Sequence, residues 1–507
     1  MAPERLSAAP ITGREARFAG LLGHYTAITG FVLYSVFLPH SVAAADISIA
    51  VATVGWLVRT IASRQTGLRR TQFDLPILLF LLWTILSAFL SLEPEISVSK
   101  LQSSWVPMVF YLTQAILTRR TVVFLVSLAV LSGVAGTVYS FYDLARGRGI
   151  VVESVSDPSP FRPLQIRPGD TIWRVDGRRI YSTQALDELL RQAVPEKPLV
   201  VGLIVDREQI ERPGLMVSTE AQSRVSPSGI RGRDRLHSFR ASGWTRHYET
   251  FAELIQLLAQ LALGLALANF LNHGSNVRFR LALGASLFLS LGIALTAMRT
   301  ALVAFVIGAL VIVWRSLQGR MKLILSGAIA LLLVIGGLVV WRTRASSALT
   351  LGDPSSSLRV QVAQVGLSRI LMHPVFGHGM DSMHRHWNEW GFPGRDMLHL
   401  HSTPLQLAFD RGLPALVFWL WLVGAFWLVA ARAERSSRDS SDTNRHGLQL
   451  GVAGALTGFL ASSLVNYNFG DAEVALAFYW LLGITVVLAD KNQITSAKFL
   501  RVRANHQ

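Results

Sequence analysis

The sequence contains no cysteine among its 507 residues, and only 16% of its residues are charged. Without cysteine the chain can form neither disulfides nor thiolate metal sites. Soluble proteins of this length carry more charge, so the low charged fraction is typical of a protein embedded in a membrane. The sequence also lacks His-Glu-x-x-His, the zinc-binding signature that a membrane metalloprotease needs.

Hydrophobic residues make up 51% of the chain and cluster into windows of about 20 residues, the length that crosses a bilayer as a helix. This pattern predicts an all-α polytopic membrane protein with about 12 transmembrane helices. The predicted spans cover residues 20–38, 41–62, 73–92, 102–118, 121–142, 251–271, 281–298, 300–317, 323–341, 413–431, 448–467 and 473–490. The first apolar segment has no clear cleavage site, so we expect no removable signal peptide.

The distribution of basic residues predicts the orientation of these spans. Arginine and lysine collect in the short loops and at both ends of the chain, while the acidic patch Glu93–Glu95 and two long loops fall on the other side. By the positive-inside rule both termini are cytoplasmic and both long loops lie outside. The net charge of +16 therefore predicts contact with anionic membrane lipids and not with nucleic acid.

The first long loop carries the pattern of a small α+β domain. Three strands are predicted, separated by turns and one helix, at residues 149–152, 171–175 and 199–205. Asp176-Gly177 predicts a tight turn after the second strand. The helix follows Ser182, a predicted N-cap, and shows an apolar face made of Leu186, Leu189, Leu190 and Ala193.

This order of elements resembles a PDZ domain over residues 147–218. The resemblance rests on the stretch PGDTIWRVDGRRI, the helix after it, and Gly147-Arg148-Gly149-Ile150, which takes the place of the family's carboxylate-binding loop. PDZ domains bind extended peptides by adding a strand beside that loop, so the resemblance implies a peptide or protein partner. The alternatives are a spacer, or a domain that packs on the protein's own membrane part.

Ionisable residues precede the sixth predicted span. Arg240, Arg246, His247 and Glu249 lie close together in the sequence at a predicted membrane surface. Their density makes the first three candidates for substrate binding. The alternative is ordinary interfacial anchoring, in which tryptophan and arginine side chains hold a span at the lipid headgroups.

Two further arginines are candidates for binding an anion. Arg299 lies between two apolar helices, where an arginine is costly and usually has an anionic partner; snorkelling to the surface is the alternative. In the second long loop, Asp353-Pro354 predicts the start of a helix that ends before His373-Pro374. Its predicted apolar face consists of Val360, Ala363, Leu367, Ile370 and Leu371. Arg359 lies in its early turns, away from that face, where a solvated surface arginine is the alternative.

Two histidines, His399 and His401, end the second long loop just before a predicted span. Histidine can take up and return a proton near neutral pH, which suits it to general acid–base catalysis. The alternative is that both merely lie at the boundary between water and lipid.

These pieces together resemble the O-antigen ligase and polymerase family over about residues 290–430. Arg299 and Arg359 take the positions of the family's helix-end and loop-helix arginines, although Met298 replaces the usual serine. HPVFGHGMDSM is similar to its Pro-x-x-Gly-x-Gly turn, and RASGWTRHYETFAELI to its Arg-x-x-Gly segment. His401-Ser402 followed by Leu405-Gln406 is similar to its His-Asn-x-x-Leu-Gln motif, with Ser402 replacing asparagine.

The resemblance implies transfer of a glycan from an undecaprenyl-diphosphate carrier to an acceptor hydroxyl at the periplasmic face of the bacterial inner membrane. Arg299 and Arg359 would bind the diphosphate, because planar guanidinium groups bind phosphate in a bidentate manner. His401 would act as the general base, with His399, Arg240, Arg246 and His247 binding substrate. The acceptor would be lipid A-core, another glycan or a protein. The long loops contain no Asp-x-Asp, and neither a metal nor a cofactor is expected.

Several alternatives follow from the same sequence. Ligase and polymerase share a donor and similar outer loops, so the sequence does not separate them. A transporter, or a scaffold with a peptide-binding PDZ domain, is the alternative from another class, although no internal repeat supports transport. No convincing Gly-x-Ser-x motif supports an intramembrane serine protease.

The expected organisation has five parts. Five transmembrane helices occupy residues 1–142, the PDZ-like domain 147–218, and a loop with four more helices 219–341. The catalytic loop would cover 342–412, and the last three helices with a cytoplasmic tail 413–507.

Overall fold

The computed structural model describes residues 13–205, 208–237, 239–317, 319–327, 354–394, 397–438 and 440–490. Its helices are α1 (Gly13–Phe37), α2 (Val42–Ser63), α3 (Asp74–Leu90), α4 (Pro94–Ser99), α5 (Met108–Ile116), α6 (Arg119–Arg146), α7 (Thr183–Gln192), α8 (Thr219–Gln222), α9 (Tyr248–His273), α10 (Val277–Leu295), α11 (Arg299–Ser316), α12 (Pro354–Met372), α13 (Thr403–Ser437), α14 (Thr443–Ser463) and α15 (Ala472–Ala489). Its strands are β1 (Arg148–Val155), β2 (Thr171–Val175), β3 (Arg178–Arg179), β4 (Leu199–Val205), β5 (Glu208–Leu215) and β6 (Ile230–Leu236).

The chain divides into two compact units. The second unit comprises residues 135–251 with 294–297, and the first unit comprises the rest. The first unit is helical, whereas the second contains every strand named above. The protein is therefore mostly helical with one small antiparallel sheet, as predicted.

Among the described residues, eight helices are long and apolar enough to cross a membrane: α1, α2, α6, α9, α10, α11, α13 and α15. Helix α3 is apolar but only 17 residues long. These helices make the chain a multi-pass membrane protein, while the predicted count of twelve and the predicted orientation remain predictions.

One predicted span differs from what is observed, and another lies mostly outside the described residues. In place of a continuous span over 102–118, the chain forms a short 3-10 turn and then the nine-residue α5. Pro107 directly precedes α5, and a residue before proline disfavours helical backbone, which accounts for the break. Most of the ninth predicted span, residues 328–341, lies outside the described residues, as do Asp353 and both chain ends.

Glycines allow three helices of the first unit to approach closely. A Cβ atom at Gly264 of α9 would lie 2.4 Å from the Gly447 carbonyl oxygen and the Gly451 nitrogen of α14. A Cβ at Gly308 of α11 would lie 2.5 Å from the Gly454 carbonyl oxygen, also on α14. Small residues at such contacts let helix backbones pack directly, which is a common way of associating helices in membranes. Helix α14 is thereby fixed between α9 and α11.

The second unit contains a sheet with the strand order β5-β4-β2-β1-β6, and β3 pairs with β2. All of these pairs are antiparallel. Apolar residues of β1, β2 and β4 share one hydrophobic cluster with Leu186 and Leu190 of α7. The sheet and α7 thus bury a common core.

The predicted elements of this unit are confirmed. Ser182 caps α7 by accepting a hydrogen bond from the Ala185 N–H at 3.2 Å. Asp176 and Gly177 both have positive φ in the turn between β2 and β3, as a two-residue hairpin requires. Strands β5 and β6 were not predicted, because they are polar and lack a continuous β-branched run. The sheet therefore extends past residue 218.

Candidate active site

The segment that carries His399 and His401 leads directly into α13. Ser402 has extended backbone at the N-cap position, and His401 before it has a φ of +53°, a value rare for a non-glycine residue. The Leu400 N–H donates to Oε1 of Gln406 at 2.7 Å, and Nε2 of Gln406 donates to Asp410 at 2.8 Å. Side chains of α13 therefore fix the turn that precedes it.

The two histidine rings contact each other. Their centroids lie 4.4 Å apart in a T-shaped arrangement. The His401 N–H donates to Nδ1 of His399 at 3.3 Å, so that nitrogen carries no proton and a neutral His399 is protonated on Nε2. Nδ1 of His401 is buried and has no hydrogen-bond partner among the described residues. The structure therefore brings the two predicted histidines together.

The environment of His401 favours its neutral form. The pKa of His401 is lowered to about 3, mainly by burial and in addition by positive charge on His399, when that ring is protonated, and on Arg359. A neutral imidazole can accept a proton, which is the state that a general base needs before reaction. Arg359 is one of the two side chains whose charge lowers this pKa.

Arg359 lies in the first turns of α12 and is exposed, as predicted. The predicted apolar face of this helix is wrong in part, because Val360, Leu367 and Leu371 are 43%, 51% and 69% exposed. The buried side is centred instead on Val362 and Ile370, which pack in the cluster described next. The two faces are both apolar, so helical periodicity alone did not separate them.

The buried face of α12 packs on the rest of the second loop and on α13. Val362 and Ile370 share a hydrophobic cluster with Trp387, Trp390 and Phe409. His378 belongs to the same region: its ring stacks on Phe409 at 4.6 Å, and burial lowers the pKa of His378 to about 4. His378 is therefore a neutral packing residue in this loop.

Gly412 allows the loop to lie against α13. The helix is interrupted there, with φ 80° and ψ 171°, and a Cβ at this position would lie 1.9 Å from the Val375 carbonyl oxygen. The Leu413 N–H donates to the Pro374 carbonyl at 2.7 Å, and the His378 N–H donates to the Phe409 carbonyl at 2.8 Å. The Pro-x-x-Gly-x-Gly segment, residues 374–379, thus runs beside residues 409–413. This close contact explains why each of the two stretches contains glycine.

A buried polar network supports the start of α13, and it was missed in the sequence. Thr403 donates its N–H and its hydroxyl to the Asn466 carbonyl at 3.1 Å. The side-chain amide of Asn466 donates in turn to Glu253 of α9 at 2.6 Å, and Ser462 also donates to Glu253 at 3.1 Å. Glu253 is 1% exposed. A glutamate inside a predicted span is the signal that could have identified it.

A cavity of about 290 Å³ lies on one side of the histidine pair. Its lining includes His399, Lys100, Arg411 and Tyr467, together with the carboxylates Asp381, Asp410 and Asp471. The Lys100 ammonium contacts Asp381 at 2.6 Å, and Nε of Arg411 is buried without a hydrogen-bond partner among the described residues. This mixture of cations and carboxylates can bind both anionic oxygens and hydroxyl groups. His401, Arg299 and Arg359 do not line this cavity.

The other predicted residues occupy two places. Arg299 is the first residue of α11, exposed, directly after the extended N-cap Met298. Arg240, Arg246 and His247 belong to the second unit. There Arg246 pairs with Glu211 at 2.6 Å, and Arg240 lies over the Tyr248 ring at 4.4 Å. Their roles in substrate binding remain predictions.

No group of three or more histidine, aspartate or glutamate residues is placed to hold a metal ion in the part of the chain that the structure describes.

Two models of known protein families match separate stretches of this chain. Residues 284–420 match the O-antigen ligase family model, and this stretch contains Arg299, Arg359, His399 and His401. Residues 124–211 match the PDZ-domain model. A search of curated proteins gave no match. The chain is therefore a multi-pass membrane protein in which residues 284–420 resemble the O-antigen ligase family.

Residues 124–211 resemble a PDZ domain in addition, so both predicted resemblances are confirmed. The ligase match supports a role as a ligase or similar glycosyltransferase, and it implies a lipid-linked glycan and an acceptor as substrates. The PDZ match implies peptide binding.

Proposed function

We propose that this protein transfers a glycan from an undecaprenyl-diphosphate carrier to an acceptor hydroxyl at the periplasmic face of the inner membrane. The observation that carries the proposal is a neutral, half-buried His401 within electrostatic reach of the exposed Arg359, inside the stretch that matches the O-antigen ligase family.

In this reaction the acceptor oxygen attacks the anomeric carbon of the glycan. The bond between that carbon and the phosphate oxygen breaks, and undecaprenyl diphosphate leaves. His401 takes the proton of the acceptor hydroxyl, and a single direct attack inverts the anomeric centre. No metal takes part in the proposed step.

Arg299 and Arg359 bind the diphosphate leaving group. The leaving group gains negative charge as the glycosidic bond breaks, so guanidinium groups stabilise the transition state more than the ground state. The diphosphate would also offset the positive charge that lowers the pKa of His401. Donor binding would thereby make His401 a stronger base at the moment when the base is needed.

Apolar surface on the helix that carries Arg359 suits a polyprenyl chain. Val360, Leu367 and Leu371 form an exposed apolar stripe on α12, the helix that carries Arg359. Leu90, Leu92, Met372, Pro374 and Val375 line a groove of about 580 Å³ at the end of the same helix. Either surface can hold a hydrocarbon tail while Arg359 holds its diphosphate.

The proposal is tested by deleting the gene in its host and analysing both surface glycans and lipid-linked intermediates. We expect undecaprenyl-diphosphate-linked glycan to accumulate and one surface glycan to be lost, with recovery of both on complementation. A missing attachment identifies a ligase, and a shortened chain identifies a polymerase. Unchanged glycans together with an unchanged pool of carrier would overturn the proposal.

A further inference from the structure

Strand β1 of the PDZ-like unit has a partner on both edges. On one edge it pairs with β2, and on the other with β6, a later segment of the same chain. The register with β6 is antiparallel and places Arg148 opposite Leu236, Val151 opposite Arg233, and Val155 opposite Ile230. The edge beside the Gly147–Ile150 loop is therefore occupied along its whole length.

Helix α7 contacts β6 from the other side. Asp187 of α7 accepts hydrogen bonds from the Ser228 N–H and the Ser226 hydroxyl, both at 2.9 Å. Ile230 is 5% exposed and shares a hydrophobic cluster with Leu186 and Leu190 of α7. Strand β6 thus lies between β1 and α7 with an apolar anchor in the core.

An extended peptide that a PDZ domain binds adds a strand to the sheet edge beside the carboxylate-binding loop. Strand β6 makes that addition from within the chain. Its end also passes the loop instead of stopping there, since a Cβ at Gly147 would lie 2.8 Å from Cβ of Arg235 and 2.9 Å from the His237 ring. A free C-terminal carboxylate would collide with this stretch.

The arginine of the loop is already paired. Arg148 is 2% exposed, and its Nε donates to Asp143 at 2.7 Å. Its guanidinium also lies 4.4 Å from the centre of the Phe239 ring, and Phe239 follows β6 in the sequence. The group best suited to bind an incoming carboxylate is therefore held by the unit's own residues.

We propose that the resident ligand of the PDZ-like groove is the protein's own strand Ile230–Leu236, and that the groove does not take up free C-terminal peptides. The domain acts as a clamp in cis. It holds β6, the segment that precedes Arg240 and Arg246, as a strand of its own sheet. It does not recruit the acceptor by binding a peptide tail. This role is independent of the glycan transfer proposed above.

Gly232 allows β6 to lie close to β1. A Cβ at this position would lie 2.4 Å from the Val151 carbonyl oxygen and 2.8 Å from the Ile150 side chain. Any larger residue would push β6 away from β1. Gly232→Val is therefore the substitution that should weaken the clamp without altering β1 or α7.

A disulfide test measures whether β6 occupies the groove in the full-length protein in lipid nanodiscs. Ser154 and Arg231 face each other across the two strands and are both exposed, and the natural sequence contains no cysteine. Opposed residues in a sheet have Cβ atoms about 5 Å apart, so Ser154→Cys with Arg231→Cys should form a disulfide on mild oxidation. Ser154→Cys with Arg233→Cys is the control, because Arg233 faces Val151 and lies diagonally, roughly 7–8 Å from residue 154, too far for a disulfide.

We expect mass spectrometry of the oxidised protein to find the linked peptide for the first pair at least tenfold more often than for the control pair. Adding Gly232→Val to the first pair should slow the linkage at least tenfold. Equal linkage in the two pairs, or linkage that Gly232→Val leaves unchanged, would overturn the proposal.

A binding test then asks whether the groove takes a free peptide. The probe is a fluorescein-labelled peptide that copies residues 228–236 and ends in a free carboxylate. A strand tethered in cis has an effective concentration in the millimolar range, so we expect no change in anisotropy at about 100 µM wild-type protein. Saturable binding at low micromolar protein would show that the groove is open and would overturn the proposal.

Discussion

Three arginines of the PDZ-like unit and Arg359 near His401 differ in whether a carboxylate balances their charge. In the PDZ-like unit, Arg148 pairs with a buried Asp143, and Arg174 and Arg246 share Glu211. Around His401 the positive charge is not cancelled in this way: Arg359 is exposed, forms no ion pair with the described residues, and lowers the pKa of a histidine. Arg148, Arg174 and Arg246 are thus paired within their own unit, whereas Arg359 has positive charge available for an anion.

This difference predicts that substitutions in the two regions change different measurements. Near His401 they should change glycan transfer, and in the PDZ-like unit they should change the position of β6. The following experiments examine the His401 region, beginning with the largest expected effect.

His401→Ala should abolish most of the transfer. General-base catalysis typically contributes about 10²- to 10⁴-fold, so a loss of at least about 100-fold is expected. The measurement is transfer from lipid-linked donor by purified full-length protein, with insertion checked by membrane fractionation. His384→Ala is the matched control, because His384 is exposed in the same loop. Wild-type transfer by the His401 variant would show that another group accepts the proton.

Arg299→Ala and Arg359→Ala should each raise the KM for the donor. A charge-assisted hydrogen bond is worth about 1.5–3 kcal/mol, which corresponds to roughly 10- to 100-fold. Lysine at either position should recover only part of the loss, because lysine keeps the charge but not the bidentate geometry. Arg280→Ala, an exposed arginine at the start of α10, serves as the control. If donor kinetics stay unchanged in both alanine variants, the two arginines do not bind the diphosphate.

Asn466→Ala should lower kcat by about tenfold with little change in the KM for the donor, because it would loosen the start of α13 without removing a group that contacts substrate. Asn272→Ala is the control, since Asn272 also forms a hydrogen bond between helices, to Thr443 at 2.9 Å. A rise in KM alone would instead place Asn466 at the substrate.

The smallest effect is expected on changing the pH. Because burial and nearby positive charge lower the pKa of His401 to about 3, its neutral form persists as the pH falls. The kcat/KM should therefore change less than about twofold between pH 7.5 and pH 5.5. A histidine with the ordinary pKa of about 6.5 would lose about nine-tenths of its neutral form over that range. A loss of that size would show that His401 is not buried as described.

Sequence patterns within single helices, strands and turns were sufficient to predict much of the PDZ-like unit. Ser182, the Asp176-Gly177 turn and the apolar face of α7 were all predicted from short stretches, because capping, turn geometry and helical periodicity are local. The contact between His399 and His401 is local in the same sense, since only one residue separates them.

Features that depend on distant residues were not predicted. Strand β6 is polar, and only its position between β1 and α7 makes it a strand. Glu253 reaches the start of α13 through Asn466, more than 200 positions away in the sequence. The buried face of α12 also depends on which partner covers it, because both faces are apolar. Tertiary contacts decide such cases, and a single sequence does not contain them explicitly.

The contact between Thr403 and Asn466 has a consequence for biosynthesis. Helix α13 emerges from the ribosome well before Asn466, and the N-terminal end of α13 receives its hydrogen-bond acceptor only when the α14–α15 hairpin has entered the membrane. A nascent or truncated chain that ends before this hairpin therefore lacks part of the framework around His401. Such a chain would insert most of its helices and bind lipid, yet His401 would not be fixed in place until synthesis is nearly complete.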